Sequence, residues 1–179
     1  MIEWNGWHHL DVTCLPAKLH HTPGLIPEAV RLKIRRARCR YQKIYVLYGD
    51  CGTGGLLDRV LAEEGNVERI PGPHCFSFFM GNDAFASSAE DDISTFFLTD
   101  YFCRYFEKFV WQALGLDRRA DMVEFVFGNY RKLVFMPQVE DDDLEGKARA
   151  IAARLGLAYE YRFCGYGDLK SFMDRGPLP

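Results

Sequence analysis

Cysteine and histidine recur in this chain where an apolar run gives way to a Gly/Pro-rich turn, the position at which reactive side chains gather in alternating α/β proteins. Two such turns read YGDCGTGG, from Tyr48 to Gly55, and IPGPHC, from Ile70 to Cys75. A third, TCLPAKLHHTP, supplies Cys14, His20 and His21, and a fourth, CGYGDL, supplies Cys164. A thiolate is both a nucleophile and a soft metal ligand, and imidazole suits the same borderline-soft ions. Chemistry is therefore expected along one sheet edge, with Cys14, His20, Cys51, His74 and Cys75 converging there.

The glycine turn offers two readings. Gly52, Thr53, Gly54 and Gly55 directly before a helix are expected to present free backbone N–H groups to an anion, either a phosphate or a cofactor tail, with the helix dipole behind them. No Lys-Ser/Thr follows and the spacing misses GxGxxG, so this is neither a Walker loop nor a dinucleotide fingerprint. The alternative is a turn whose glycines only permit tight strand-to-helix packing. Cys51 at the start of that helix would be favoured as thiolate. His74 and Cys75, beside it on the next turn, suit zinc, although only one of two adjacent ligands reaches an ion. No CxxC or HExxH spacing dictates a metal.

Positioning these turns requires strands and helices in alternation. The patterning predicts a short strand over Leu10–Thr13, a helix entered through Pro27 with Ala29, Val30, Ile34 and Ala37 inward, and a buried strand over Lys43–Tyr48. A helix over Leu56–Glu64 follows, with Leu56, Leu57, Val60 and Leu61 inward and a stop at Gly65-Asn66. Next come a strand over Val67–Ile70, a helix from Cys75 that Gly81-Asn82 can interrupt, a strand over Thr95–Leu98 and a long helix from Asp100 to Gly115. A helix near 120–127, a strand over Lys132–Met136, an acidic turn Glu140–Asp143 at the N-terminus of a helix over Glu145–Gly156, and a strand over Leu157–Phe163 complete the order. Tyr101, Tyr105 and Trp111 read as core or interface, and Cys39 and Cys103 as buried helix residues. The expected architecture is α/β: one three-layer domain over 1–179 with a mainly parallel sheet and Rossmann-like alternation.

Composition narrows the partners. Of 179 residues, 48% are hydrophobic and 26% charged, with a net charge of -3, which fits an ordinary globular chain and not a general nucleic-acid binder. The basic run Arg31–Arg40 reads as the solvated face of a helix, with a phosphate patch as the alternative. No apolar stretch is long enough for a membrane span and no signal peptide opens the chain, so six cysteines read as reduced cytoplasmic thiols.

The stretches LPAKLHHTP, YGDCGTGGLLDRVL, IPGPHCFSFFMGN, FFLTDYF and YRKLVFM, in this order from His9 to Phe172, resemble a bacterial and archaeal family known as domain of unknown function 1638. The resemblance implies a cytoplasmic α/β protein encoded near corrinoid-dependent methyltransferases, with His20, Cys51, His74 and Cys75 in the positions of that family's metal ligands. Relatives begin with an additional strand ending in Cys-Gly, upstream of where this chain starts. The leading expectation is thus a zinc protein serving corrinoid-dependent methyl transfer or one-carbon metabolism. The alternatives are an enzyme with Cys51 as nucleophile and His74 as base, and a non-catalytic corrinoid- or nucleotide-binding module.

Overall fold

The computed structural model describes residues 10–175. The α/β class holds, with five short strands and helices between them, but the strands form two parallel sheets, of two and three strands, instead of one. They belong to two compact units, 10–73 with 171–175, and His74–Lys170. Among the described residues no helix is long and apolar enough to cross a membrane.

In the first unit, residues 10–16 are irregular where a strand was expected, and Ala17–His21 and Pro23–Leu25 form single 3-10 turns. Alternation over four residues does not make a strand without a neighbour to receive its hydrogen bonds. Helix α1 (Ile26–Ala37) carries Pro27 in its first turn, where the missing N–H costs nothing, and buries Ile26, Val30 and Ile34. Strand β1 (Ile44–Val46) pairs in parallel with β2 (Val67–Arg69), Ile44 opposite Val67, with α2 (Leu56–Glu64) between them in sequence. Leu57 and Leu61 meet Val30, Ile34 and Val46 in one apolar cluster, while Leu56, expected inward, is exposed. Gly65, with φ 60°, stops α2 as anticipated.

Most of the basic run is solvent-exposed, as expected, and three of its arginines also converge on one acid. Arg31 and Arg35 of α1, and Arg38 just past its end, all reach Glu64, whose side chain is 5% exposed. Burial pushes the Glu64 carboxyl up, and the three guanidinium groups outweigh it and hold it below the usual range. Helix α1 ends at Ala37, so Cys39 lies beyond it and is exposed, contrary to the buried position expected.

The second unit centres on β3 (Thr95–Thr99), β4 (Lys132–Met136) and β5 (Ala158–Tyr161), paired in parallel in that order. Central β4 buries Leu133, Val134, Phe135 and Met136 in succession, the mark of a strand covered on both faces. Helices α3 (Cys75–Met80) and α4 (Asn82–Asp92) are separated at Gly81 as the sequence suggested, and Asp168 fixes the break by accepting from the Asn82 backbone and side-chain amides at 2.8 and 2.9 Å.

The long helix expected from Asp100 is broken. Helix α5 (Asp100–Arg104) is followed by a π-helical stretch, Glu107–Trp111, with Gln112 N–H donating to Glu107 and Leu116 N–H to Trp111, each five residues back. That spacing lines up Phe106, Trp111 and Leu116 towards the core, which a 3.6-residue repeat cannot do. Tyr101 and Tyr105 are consequently turned out to solvent beside Phe109, and Trp111 lies under the Arg154 guanidinium. Short α6 (Val123–Phe127), α7 (Asp142–Leu155) and α8 (Gly167–Asp174) complete the elements. The acidic run has the structural role its position suggested: Asp141 caps α7 by accepting from Leu144 N–H at 2.9 Å.

Candidate functional site

The turn between β1 and α2 is held in left-handed backbone at nearly every step: Cys51 at φ 49°, Gly52 at 82°, Gly54 at 61° and Gly55 at 79°. Glycine takes this region freely, whereas for cysteine it carries strain of about 1 kcal/mol or more. A glycine would take this backbone without strain, so the thiol sits here against local backbone preference. Asn66 is the other non-glycine residue with positive φ among those described, and asparagine tolerates it.

The anion expected in the glycine turn is the chain's own Asp50. Its carboxylate accepts from Gly54 N–H at 3.1 Å, from Gly55 N–H at 3.0 Å and from the hydroxyl of buried Thr53. The Thr53 hydroxyl first, then the Gly55 amide, hold the Asp50 carboxyl below its ordinary value. The amides of Gly54 and Gly55 are therefore occupied, and the helix does not begin until Leu56, five residues beyond Cys51. Helix-dipole activation of Cys51, expected from the sequence, is replaced by contact with a side chain.

That side chain is His20. It sits on the 3-10 turn Ala17–His21, stacks on Tyr48 at 5.8 Å, and has Nδ1 3.2 Å from the Ala17 carbonyl oxygen. Nδ1 as donor to Ala17 leaves Nε2 for the sulfur. Hydrogen bonding to Cys51 is the largest influence on the imidazole and raises its pKa; burial opposes this, while the thiolate charge and the Ala17 carbonyl add to it. Pro23 packs against Gly52, where an added Cβ would stand 3.4 Å from the Pro23 ring. His20 is solvent-exposed and Cys51 half-buried, so a small molecule can approach the pair.

Arg69, at the end of β2, ties the turn to its surroundings and was not among the residues singled out from sequence. Its guanidinium grips Asp58 at 2.7 and 3.1 Å, and Nη1 donates to the carbonyls of Tyr48 and Ile70 at 3.0 Å and of Gly72 at 3.3 Å. The strands' exits are then joined directly: Asp50 N–H donates to Gly72 and Cys51 N–H to Pro73, at 3.0 and 2.8 Å. An ammonium cannot span a carboxylate and three carbonyls at once. Arg69→Lys should cost about 1–2 kcal/mol in urea unfolding and blunt any special reactivity of Cys51, which thiol-labelling rates would register.

Of the four expected metal ligands, His20 and Cys51 share the first unit, whereas His74 and Cys75 open the second. His74 precedes the first turn of α3, with its ring edge-on to Phe85 at 4.7 Å and Phe76 at 5.4 Å, and Cys75 is half-buried. Cys14 is exposed in the irregular segment. Among the described residues no group of three or more His, Cys, Asp or Glu side chains is arranged to hold an ion. The His20–Cys51 pair alone falls short of the three or four protein ligands zinc takes. Cys103 is core, as expected, and burial pushes its thiol up to about 11; burial does the same for Cys164, also about 11.

No curated protein and no solved structure matches the chain. The stretches that carry the resemblance noted above all lie within residues 14–173, and over that span the sequence matches, and the chain belongs to, the family described as Protein of unknown function (DUF1638).

Proposed function

We propose that this protein is a cysteine-dependent enzyme in which Cys51 is the nucleophile and His20 its proton partner. The observation that carries the reading is the hydrogen bond between the two, made by a cysteine kept in left-handed backbone. An imidazole beside a thiol takes its proton and leaves a thiolate next to an imidazolium, the usual way a cysteine is activated. This reading differs from the enzyme expected from the sequence in taking His20, not His74, as the partner of Cys51.

The chain contains its own reference thiols. Cys14 and Cys39 are exposed, so accessibility does not limit them, and Cys103 and Cys164 are held protonated by burial. A thiol of ordinary pKa is roughly 3% ionised at pH 7. Iodoacetamide at pH 7, read by peptide mass spectrometry, should therefore label Cys51 about ten times faster than Cys14 and Cys39, with Cys103 and Cys164 last; lower intrinsic nucleophilicity of a stabilised thiolate offsets part of the ionisation gain. His20→Gln should bring Cys51 down to the exposed cysteines. Equal rates at Cys51, Cys14 and Cys39 in the unmodified chain would refute the proposal.

The same pair predicts a pH signature in stability. His20 has a folded pKa above its ordinary 6.5, so its protonation stabilises the fold below that value, and the contribution is lost as pH rises through the raised folded pKa. The zinc reading remains testable on the same sample: stoichiometric zinc by elemental analysis, with chelation freeing Cys51 for labelling, would make Cys51 a ligand. For the corrinoid- or nucleotide-binding module, saturable titration with cobalamin or nucleotide is the required result; Asp50 already engages Gly54 and Gly55, two of the turn residues that module draws on.

A further inference from the structure

We infer that the substrate of this thiol is a carboxylic acid derivative, an ester or thioester, which acylates Cys51 while the backbone N–H of Gly52 receives the developing oxyanion. This rests on the thiol–imidazole reading and goes beyond it by naming the bond attacked.

The amides around Cys51 carry the argument. Asp50 N–H donates to Gly72 and Cys51 N–H to Pro73; Thr53 N–H donates to the Asp50 carbonyl. Gly54 and Gly55 N–H donate to the Asp50 carboxylate, Leu56 N–H to the Thr53 carbonyl and Leu57 N–H to the Thr53 hydroxyl. From Asp50 to Leu57, Gly52 alone has an N–H that donates to no group among the described residues. It is the amide of the residue directly after the nucleophile, it is exposed, and it has no side chain to overhang it. The turn engages every neighbouring amide and leaves this one open, on the residue that directly follows the sulfur-bearing one. Fixed donors of this kind stabilise charge that appears on a carbonyl oxygen during attack and add nothing to a displacement at a saturated carbon, where no such charge develops.

The steps balance with the groups present. The Cys51 thiolate attacks the carbonyl carbon, a C–S bond forms, and the π pair moves to the oxygen facing Gly52 N–H. Collapse breaks the bond to the alkoxide or thiolate leaving group, which takes the His20 proton. Water, giving its proton to His20, then attacks the acyl–Cys51 thioester; the C–O bond forms, the C–S bond breaks, and the thiolate returns beside the imidazolium.

p-Nitrophenyl acetate and iodoacetamide test this in the intact chain, because both report the same thiolate and only the ester passes through an oxyanion. The ratio of acetylation to alkylation rate, measured by peptide mass spectrometry, should be about 10²-fold higher at Cys51 than at Cys14 and Cys39. Equal ratios at the three sites, with alkylation still selective for Cys51, would overturn the acyl-transfer inference and leave the thiol–imidazole pair standing. Loss of alkylation selectivity itself would overturn both.

Discussion

Glycine in place of Cys51 should abolish thiol labelling at the turn and leave the fold as stable as before, or more stable by about 0.5–1 kcal/mol. Cysteine at φ 49° carries backbone strain that glycine lacks. Against that gain stand the lost contact with His20 and the greater freedom of glycine in the unfolded chain, which offsets about 0.5–1 kcal/mol. Cys51→Val supplies the contrast: a β-branched side chain resists positive φ, so the midpoint of urea unfolding should fall by an amount equivalent to about 1–3 kcal/mol. Glycine destabilising by more than valine would identify the thiol as a packing residue, not a reactive one.

The second large effect is expected at Asp50. Asp50→Ala leaves the Gly54 and Gly55 amides and the buried Thr53 hydroxyl without their acceptor. Donors to a charged acceptor are worth about 1.5–3 kcal/mol each when one is removed, and effects within one network do not add, so a loss of about 2–4 kcal/mol is expected. Labelling of Cys51 should fall with it, because the turn that presents the sulfur is no longer braced. The pH sign is opposite to that of His20. Asp50 is held below its usual value, so its contribution is present above the ordinary carboxyl range and disappears as pH falls through the depressed folded pKa. Unfolding midpoints of the parent chain and Asp50→Asn should therefore converge on acidification; a constant gap down to strongly acid pH would show that charge is not what the turn uses.

Both predictions concern a site whose parts were visible along the chain but whose pairing was not. Cys51 stands out because a cysteine interrupts a glycine-rich turn, and His20 because it lies in a turn of its own. Their partnership depends on Pro23 packing against Gly52 and on His20 stacking on Tyr48, contacts between segments far apart in sequence. Asp50 stands in the YGDCGTGG turn, yet its engagement of the Gly54 and Gly55 amides depends on how the turn closes. Arg69 carries no local signal of its role. Its grip on three carbonyls exists only once β1 and β2 lie side by side.

The sequence by itself determined the elements whose causes are local. The bounds of α2 and its stop at Gly65, the strand β4, the break at Gly81 and the acidic N-terminus of α7 all follow from periodicity, caps and backbone freedom within a few residues. Tertiary structure alone decided that the strands split between two sheets, that Phe106, Trp111 and Leu116 impose a π-helical stretch, that three arginines converge on Glu64, and that His20 meets Cys51. Local propensity acts through covalent neighbours and is written in their order; the free energy of a contact between distant segments exists only after the backbone has closed the distance.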